Sequence, residues 1–186
     1  MRFSHQLSAF AAAAATLASA NSITFVNQDA TQRTIVFTAN AGLQQIDSVV
    51  IAGFAETKVE FPQGWIGNAY SVSKGAANVV GMLAEVTFQG WNGFTYFDVS
   101  AIVNPNDHDG VKQMYPASEK NAKTKAEISG CALFPCPKVY YHPDDVQTVT
   151  STEEDFICTL GNPPSTSVTR DVEVELVARK FVLGKF

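Results

Sequence analysis

After its first twenty residues the sequence contains no apolar run that approaches the length of a membrane-spanning helix. It also lacks an Asn-x-Ser/Thr acceptor site, a glycine-rich nucleotide-binding motif and the Gly-x-Ser-x-Gly motif of many serine hydrolases. We therefore expect no transmembrane span and no N-linked glycan, and no motif indicates nucleotide-dependent chemistry.

Basic residues are in the minority. The chain has 13 Lys and Arg against 18 Asp and Glu, which gives a formal charge of −5. Proteins that bind nucleic acid through its phosphates need a basic patch. The acidic balance therefore argues against nucleic acid as a partner.

Cysteine is scarce, with Cys131, Cys136 and Cys158 only. An odd number leaves at least one thiol without an intramolecular partner. Cys131 and Cys136 in "CALFPC" are close enough in sequence to close a small loop, and Cys136 with Cys158 is the rival pairing. Spacing does not decide between the two pairings. With so few cross-links, most of the stability has to come from the core.

The first twenty residues have the pattern of a secretory signal. "MRFSHQLSAFAAAAATLASA" combines the basic Arg2, an Ala-rich apolar stretch and small residues at positions 18–20. We predict cleavage after Ala20, which leaves 12 basic and 18 acidic residues and a formal charge of −6. The predicted location is therefore secreted, either extracellular or in the cell wall.

Residues 21–160 have the composition of short strands separated by turns. Val, Ile, Thr, Phe and Tyr dominate the runs, and Gly, Asn, Asp and Pro separate them at intervals of about ten residues. This pattern predicts an all-β sandwich in one domain. The candidate strands are SITFVNQ, RTIVFTA, IDSVVIAG, ETKVEFP, GNAYSVS, LAEVTF and TYFDVSA. Residues 104–130 resemble a long polar loop. Residues 161–186 are predicted to be a linker and a C-terminal tail that fits either a strand or an amphipathic helix.

Two acids stand out in the stretch "GMLAEVTFQGWNGFTYFDVS". If the runs around "QGWNGF" form an antiparallel hairpin, Val86 faces Phe97 on the core side. Glu85 then falls directly opposite Asp98 on the other side, with β-carbons about 4.5–5.5 Å apart. Like charges at that distance repel, so water, a cation, a raised pKa or a ligand has to compensate.

This acid pair allows three interpretations. It is a solvated pair on a wet sheet face, a binding groove, or the two carboxylates of a glycosidase, of which one donates a proton and the other stabilises or attacks the sugar. A neighbouring segment, "NDHDG", does not predict a metal site, because adjacent residues in a turn do not converge as ligands.

Several motifs together resemble the thaumatin-like family, and most closely its small secreted fungal members. They are "LAEVTF", "FTYFDVSAIVNPND", "CPKVYYHPDDVQTVT" and the opening "SITFVNQDATQRTIVF", and they span roughly residues 22–160. In this family a Leu-Ala-Glu strand leads to a Phe-Asp-Val-Ser strand, and Cys-Pro precedes a Tyr-x-x-Pro-x-Asp segment. The resemblance implies a thaumatin-like β-sandwich.

The resemblance also implies an acidic cleft that binds β-1,3-glucan and, in some members, hydrolyses it weakly. Glu85 and Asp98 match two cleft acids, and Asp144 or Asp145 matches a third, with Trp91 placed to stack on a sugar ring. The sequence departs from the family in several ways. Asp29 or a neighbour stands where the family has cysteine, no cleft arginine can be placed, and the second domain of the large members is absent.

The leading hypothesis is a secreted, non-catalytic protein that associates with cell-wall polysaccharide through Glu85, Asp98, Asp144, Asp145 and Trp91. One alternative is a weak endo-β-1,3-glucanase, a glycoside hydrolase with Glu85 as proton donor and Asp98 as the stabilising carboxylate. Another alternative is an effector or antimicrobial protein that acts on host or competitor cells. None of the three requires a cofactor.

Signal cleavage makes a direct prediction about the secreted product. The protein recovered from culture medium is expected to begin Asn-Ser-Ile-Thr and to have the intact mass of residues 21–186. The Ala20→Asp variant places a charge where the peptidase requires a small residue, and we expect cleavage at this site to fail. N-terminal sequencing that returns Met1 from the secreted protein would contradict the prediction.

Overall fold

The computed structural model describes residues 21–164. The predicted signal and the tail from residue 165 onward lie outside the described residues. Between residues 21 and 164 there is no α-helix, and the all-β class predicted from the sequence is confirmed. No helix in this part of the chain is long and apolar enough to cross a membrane.

The described part of the chain has eleven strands, and each of the seven candidate runs overlaps one of them. The predicted loop at 104–130 was wrong in part, because it contains β8 and β9. The strands are β1 Asn21–Asn27, β2 Arg33–Ala39, β3 Val49–Ile51, β4 Glu56–Phe61, β5 Ile66–Ser73, β6 Leu83–Thr87, β7 Thr95–Ser100, β8 Val111–Pro116, β9 Ser129–Gly130, β10 Val149–Ser151 and β11 Asp155–Leu160.

The strands form two sheets. One has five strands in the order β4-β1-β11-β8-β9, and the other has six in the order β10-β7-β6-β5-β2-β3. The strand pairs are antiparallel except β1 with β11, which run parallel. The first and last described strands therefore lie side by side inside the five-stranded sheet.

The core lies between the two sheets because each strand alternates apolar and polar side chains. Phe25 of β1 contacts Phe37 of β2 across the gap, with ring centroids 5.7 Å apart. Phe156 of β11 contacts Phe97 of β7 at 4.9 Å. Both pairs join one sheet to the other, and burial of each such ring stabilises the fold by about 2–3 kcal/mol.

An ion pair between a buried arginine and a partly exposed aspartate lies beside the turn between β1 and β2. Arg33 is 2% exposed, and its Nη1 and Nη2 donate to the two carboxylate oxygens of Asp29 at 2.7 and 2.9 Å. Nη1 also donates to Oδ1 of Asn27, and Nη2 to the carbonyl of Asp109. Asp29 therefore holds the Arg33 guanidinium against the turn that joins β1 to β2.

The pKa of Asp29 reflects these contacts. Partial burial alone raises it, but hydrogen bonds from Arg33 and from the backbone N–H groups of Thr31 and Asn162 outweigh burial. The net effect holds the pKa of Asp29 well below its usual range. Asn162 lies in the predicted linker, so the start of that segment is attached to the sandwich.

The disulfide joins Cys131 and Cys136, with Cα atoms 6.4 Å apart. Cys158 is the free thiol; it lies buried in the core, and burial raises its pKa. Of the two pairings that the sequence left open, Cys136 with Cys158 is therefore wrong.

The disulfide loop places the ring of Phe134 over Lys112, whose Nζ lies 4.9 Å from the ring centroid. Lys112 is 1% exposed, so this loop covers a buried ammonium.

Loss of one member of the Arg33–Asp29 ion pair is expected to destabilise the fold. Asp29→Asn removes the charge that faces Arg33, and we expect the free energy of unfolding at pH 7 to fall by about 3 kcal/mol. Urea denaturation measures the change. Asp47→Asn is the matched control, because Asp47 is exposed and its loss changes stability by about 0.5 kcal/mol or less. Equal, small effects of the two substitutions would contradict the assigned role.

Candidate binding site on the six-stranded sheet

The hairpin of β6 and β7 brings two carboxylates together in the register that the sequence predicted. Glu85 pairs with Asp98, and Val86 pairs with Phe97. Val86 and Phe97 are buried and face the core, so Glu85 and Asp98 share the outer face of the six-stranded sheet. Opposed β-carbons lie about 4.5–5.5 Å apart, which puts both acids within reach of one ligand group.

The turn between the two strands fixes this register. Asn92 and Gly93 adopt positive φ values of 56° and 77°, a region open to Gly and tolerated by Asn. Gln89 also has a positive φ, and its side-chain amide exchanges two hydrogen bonds with the side chain of Asn21, at 2.6 and 3.0 Å. The strained residue is thus held by β1 of the other sheet.

A row of polar side chains crosses the sheet through the acid pair. Thr38 of β2 pairs with Asn68 of β5, Asn68 pairs with Glu85, and Glu85 pairs with Asp98. Thr148 extends the row beyond β7, since its hydroxyl contacts Oδ2 of Asp98 at 3.4 Å. Sequence reasoning missed Asn68 and Thr148, because the order of the strands in a sheet determines which residues become neighbours.

Asp98 is the electrostatically unusual member of this row. Its Oδ1 is buried and accepts no hydrogen bond from an N–H or O–H group of the described residues. Burial, then the nearby charge of Glu85 and a hydrogen bond that the protonated Asp98 carboxyl makes with Glu85, raise the pKa of Asp98 to about 7, although the bond from Thr148 lowers it. Asp98 therefore gains or loses a proton near neutral pH, and a cationic ligand would favour the ionised form.

The segment after β9 borders the pair. The hydroxyl of Tyr140 lies 2.7 Å from Oγ1 of Thr148 and accepts a bond from its backbone N–H at 3.2 Å. Asp145 accepts the backbone N–H groups of Tyr141 and His142 at 2.8 and 2.9 Å, and these bonds lower its pKa. The Asp145 carboxylate therefore shapes this segment, and the structure shows no bond between it and the acid pair. Asp144 is exposed on the same segment.

Trp91 lies at the tip of the hairpin and is 76% exposed. Its carbonyl accepts the hydroxyl of Tyr96 at 3.2 Å, which holds the tip against β7. The indole of Trp91 is therefore open to solvent beyond the end of the strands and is not part of the polar row.

An apolar rim lies at the opposite end of the same hairpin. Val79 and Val80 precede β6, Ile102 and Val103 follow β7, and they are 64%, 36%, 40% and 59% exposed. The side-chain amide of Asn104 donates to the carbonyl of Val80 at 3.4 Å and joins the two segments. Sequence reasoning missed this rim, although two pairs of adjacent β-branched residues outside the predicted strands could have indicated it.

The segment "NDHDG" has a structural role. Oδ2 of Asp107 accepts the backbone N–H of Met82 at 2.8 Å, and Oδ1 accepts that of Gly110 at 2.9 Å. These bonds tie the segment before β8 to the start of β6. Within residues 21–164 no group of three or more His, Cys, Asp or Glu side chains is placed to hold a metal ion.

Comparison with known proteins finds a relative by sequence and similar folds among solved structures. No model of a protein family matches the chain. The antigenic protein SchS21 of Stachybotrys chartarum is 50% identical over 140 residues, which is 75% of this chain and 94% of that protein. The protein elicitor MoHrip2 from Magnaporthe oryzae has a similar fold, with a TM-score of 0.58 and 12% identity over 76% of this chain and 98% of that chain.

These findings overturn the resemblance to thaumatin-like proteins, since neither similar protein is of that family. The glucan-binding role and the cell-wall polysaccharide partner that the resemblance supplied lose their support. Two of the four motifs that carried it are β6 and β7, which alternate because one face packs on the core and the other meets solvent. Short alternating strands of this kind arise in unrelated sandwiches.

The raised pKa of Asp98 predicts how stability depends on pH. A carboxyl whose folded pKa is about 7 binds a proton in the folded state that the unfolded chain has released above about pH 4. Stability is therefore expected to fall as the pH rises from 5 to 8, on the order of 2 kcal/mol. Asp98→Asn removes this group and should flatten the dependence, as measured by urea denaturation at both pH values. An equal fall in variant and wild type would contradict the assignment.

Proposed function

The chain belongs to the family of the antigenic protein SchS21 of Stachybotrys chartarum, and from this membership we propose that it is a secreted, effector-type protein that foreign cells detect. The observation that carries the proposal is the 50% identity extending over 94% of SchS21, a protein named for its antigenicity. Such a protein acts through the surface that it presents.

Two features of the described chain support an extracellular setting. The disulfide between Cys131 and Cys136 is of a kind that forms and persists in oxidising compartments. Cleavage after Ala20 would remove none of the eleven described strands, since all of them lie within residues 21–164. A secreted product would therefore retain both described sheets.

The structural neighbour supports the effector class. MoHrip2 is described as a protein elicitor, and its fold resembles this one over 98% of its length. We propose that this chain uses the same kind of scaffold to present a surface that other cells recognise.

The test applies purified protein, residues 21–186, to leaf discs and separately to cultured mammalian monocytes. Hydrogen peroxide release and cytokine release are the respective readouts. We expect a saturable response in at least one cell type, and none from the same protein after heat unfolding. An unrelated β-sandwich of similar negative charge controls for non-specific effects. Folded protein that leaves both cell types unresponsive would refute the proposal.

A further inference from the structure

The outer face of the six-stranded sheet has an acidic centre, and exposed apolar residues lie beyond the open end of its β6–β7 hairpin. We call it the acid-centred face and define it by Glu85, Asp98 and the rim residues 79–80 and 102–103. We propose that this face docks a protein partner, which inserts an arginine side chain between Glu85 and Asp98 and rests apolar residues on the rim. The inference rests on the proposed function and specifies the kind of partner that it needs.

Charge complementarity favours a cationic group from the partner. The six strands of this sheet contain two acidic residues, Glu85 and Asp98, which face each other on the outer side. The same strands contain one basic residue, Arg33, and its guanidinium is buried against Asp29. Within these strands the acid pair therefore lacks a basic neighbour, and the positive charge has to come from outside the sheet.

The hydrogen-bonding state of Asp98 favours a donor of N–H groups. When Asp98 is ionised, its buried Oδ1 receives no hydrogen bond from the described residues, and its Oδ2 receives one long bond from Thr148 at 3.4 Å. A buried acceptor without a donor costs about 1–3 kcal/mol. A ligand that donates to Oδ1 would recover this energy on binding.

Arginine fits the pair better than lysine does. The guanidinium group carries five N–H donors in a planar fork and bonds carboxylates in a bidentate manner. It can donate to Glu85 on one edge and to Asp98 on the other, across side chains whose β-carbons are about 5 Å apart. The ammonium of lysine is a compact, strongly hydrated charge that loses more hydration in such a site. Asn68 and Thr148 flank the pair and add polar atoms that can orient the fork.

Contact with the apolar rim as well as the acid pair would give a partner an interface of typical protein–protein size. Ile102 follows Asp98 by four residues and Val80 precedes Glu85 by five, so these two rim residues lie at most about 13 and 17 Å from the acid pair along the strands. A typical protein interface buries about 800 Å² on each partner, which is enough to include both. A protein segment with an arginine and flanking aliphatic residues therefore matches the face. An anionic lipid surface does not match it, because the carboxylates would repel the headgroups.

The first test uses N-acetyl-arginine-methylamide as the probe, followed by backbone NMR shifts of the folded protein, residues 21–186. We expect saturable shifts centred on positions 68, 85 and 98, with a dissociation constant on the order of 1 mM. The citrulline analogue has the same shape without the charge and should cause none of these shifts. The absence of localised shifts from the arginine probe would overturn the proposal.

Variants separate binding from folding. Glu85→Gln combined with Asp98→Asn keeps the size of both side chains and should abolish the shifts, while thermal unfolding confirms that the variant is folded. Glu60→Gln with Asp47→Asn is the matched control, because it also removes one Glu and one Asp, both exposed and outside this face, and should bind the probe as wild type does. Equal binding by all three proteins would place the arginine elsewhere and reject the site.

A second probe tests the rim. An arginine heptapeptide with valine and leucine flanks should bind about tenfold more tightly than one with glycine flanks. Val79→Ser with Val103→Ser should remove that gain and leave the binding of the arginine amide unchanged. Equal affinities of the two peptides for wild type would contradict the role of the rim. Binding to phosphatidylglycerol vesicles without binding of either peptide would replace the protein partner with a membrane.

The cell assay distinguishes the failure of this inference from the failure of the proposed function. The double variant at positions 85 and 98 should lose most of the cell response that wild type produces. A full response from that variant would reject the acid-centred face and leave the effector function standing. Arginine binding in a wild-type protein that affects neither cell type would reject the proposed function and retain the site.

Discussion

The parallel pairing of β1 with β11 is the contact on which the rest of the sandwich depends. Phe25 lies beside Cys158 across this pair, and Ile23 lies beside Phe156. Residues more than 130 positions apart in sequence are therefore neighbours, and the loop-closure entropy of the whole intervening chain opposes this pairing. The apolar side chains of both strands enter the core and stabilise the pairing. The same geometry explains why Cys158 remains a free thiol, since it is used as a core side chain in the middle of a sheet.

The β6–β7 hairpin has to satisfy two different demands. Its inner face supplies Val86 and Phe97 to the core, so its register is strongly determined. That register brings Glu85 and Asp98 together on the outer face, where nothing in the packing requires two acids. The stability of the inner face thus holds the outer pair in an arrangement that is unfavourable by itself, as is common where a fold positions a binding group.

The sequence was informative where local pattern decides structure. The all-β class and the Glu85–Asp98 register follow from alternation and from the QGWNGF loop, which act over a few residues. The sequence did not predict contacts between segments that are far apart along the chain. The position of Thr148 beside Asp98 and the burial of Arg33 against Asp29 depend on the order of strands, which local pattern does not encode. The family assignment failed for a related reason, because short amphipathic strands are shared by unrelated sandwiches.

The disulfide contributes only a small part of the free energy of folding. Cys131 and Cys136 are five positions apart, and closing so short a loop stabilises the folded state by about 2 kcal/mol in the chain-entropy description. A domain of this size has about 5–15 kcal/mol in total, most of it from the core between the sheets. The sandwich would therefore keep its shape in a glutathione-rich cytosol, where only the small loop over Lys112 would be released. The architecture of the protein does not confine it to the compartment in which its disulfide forms.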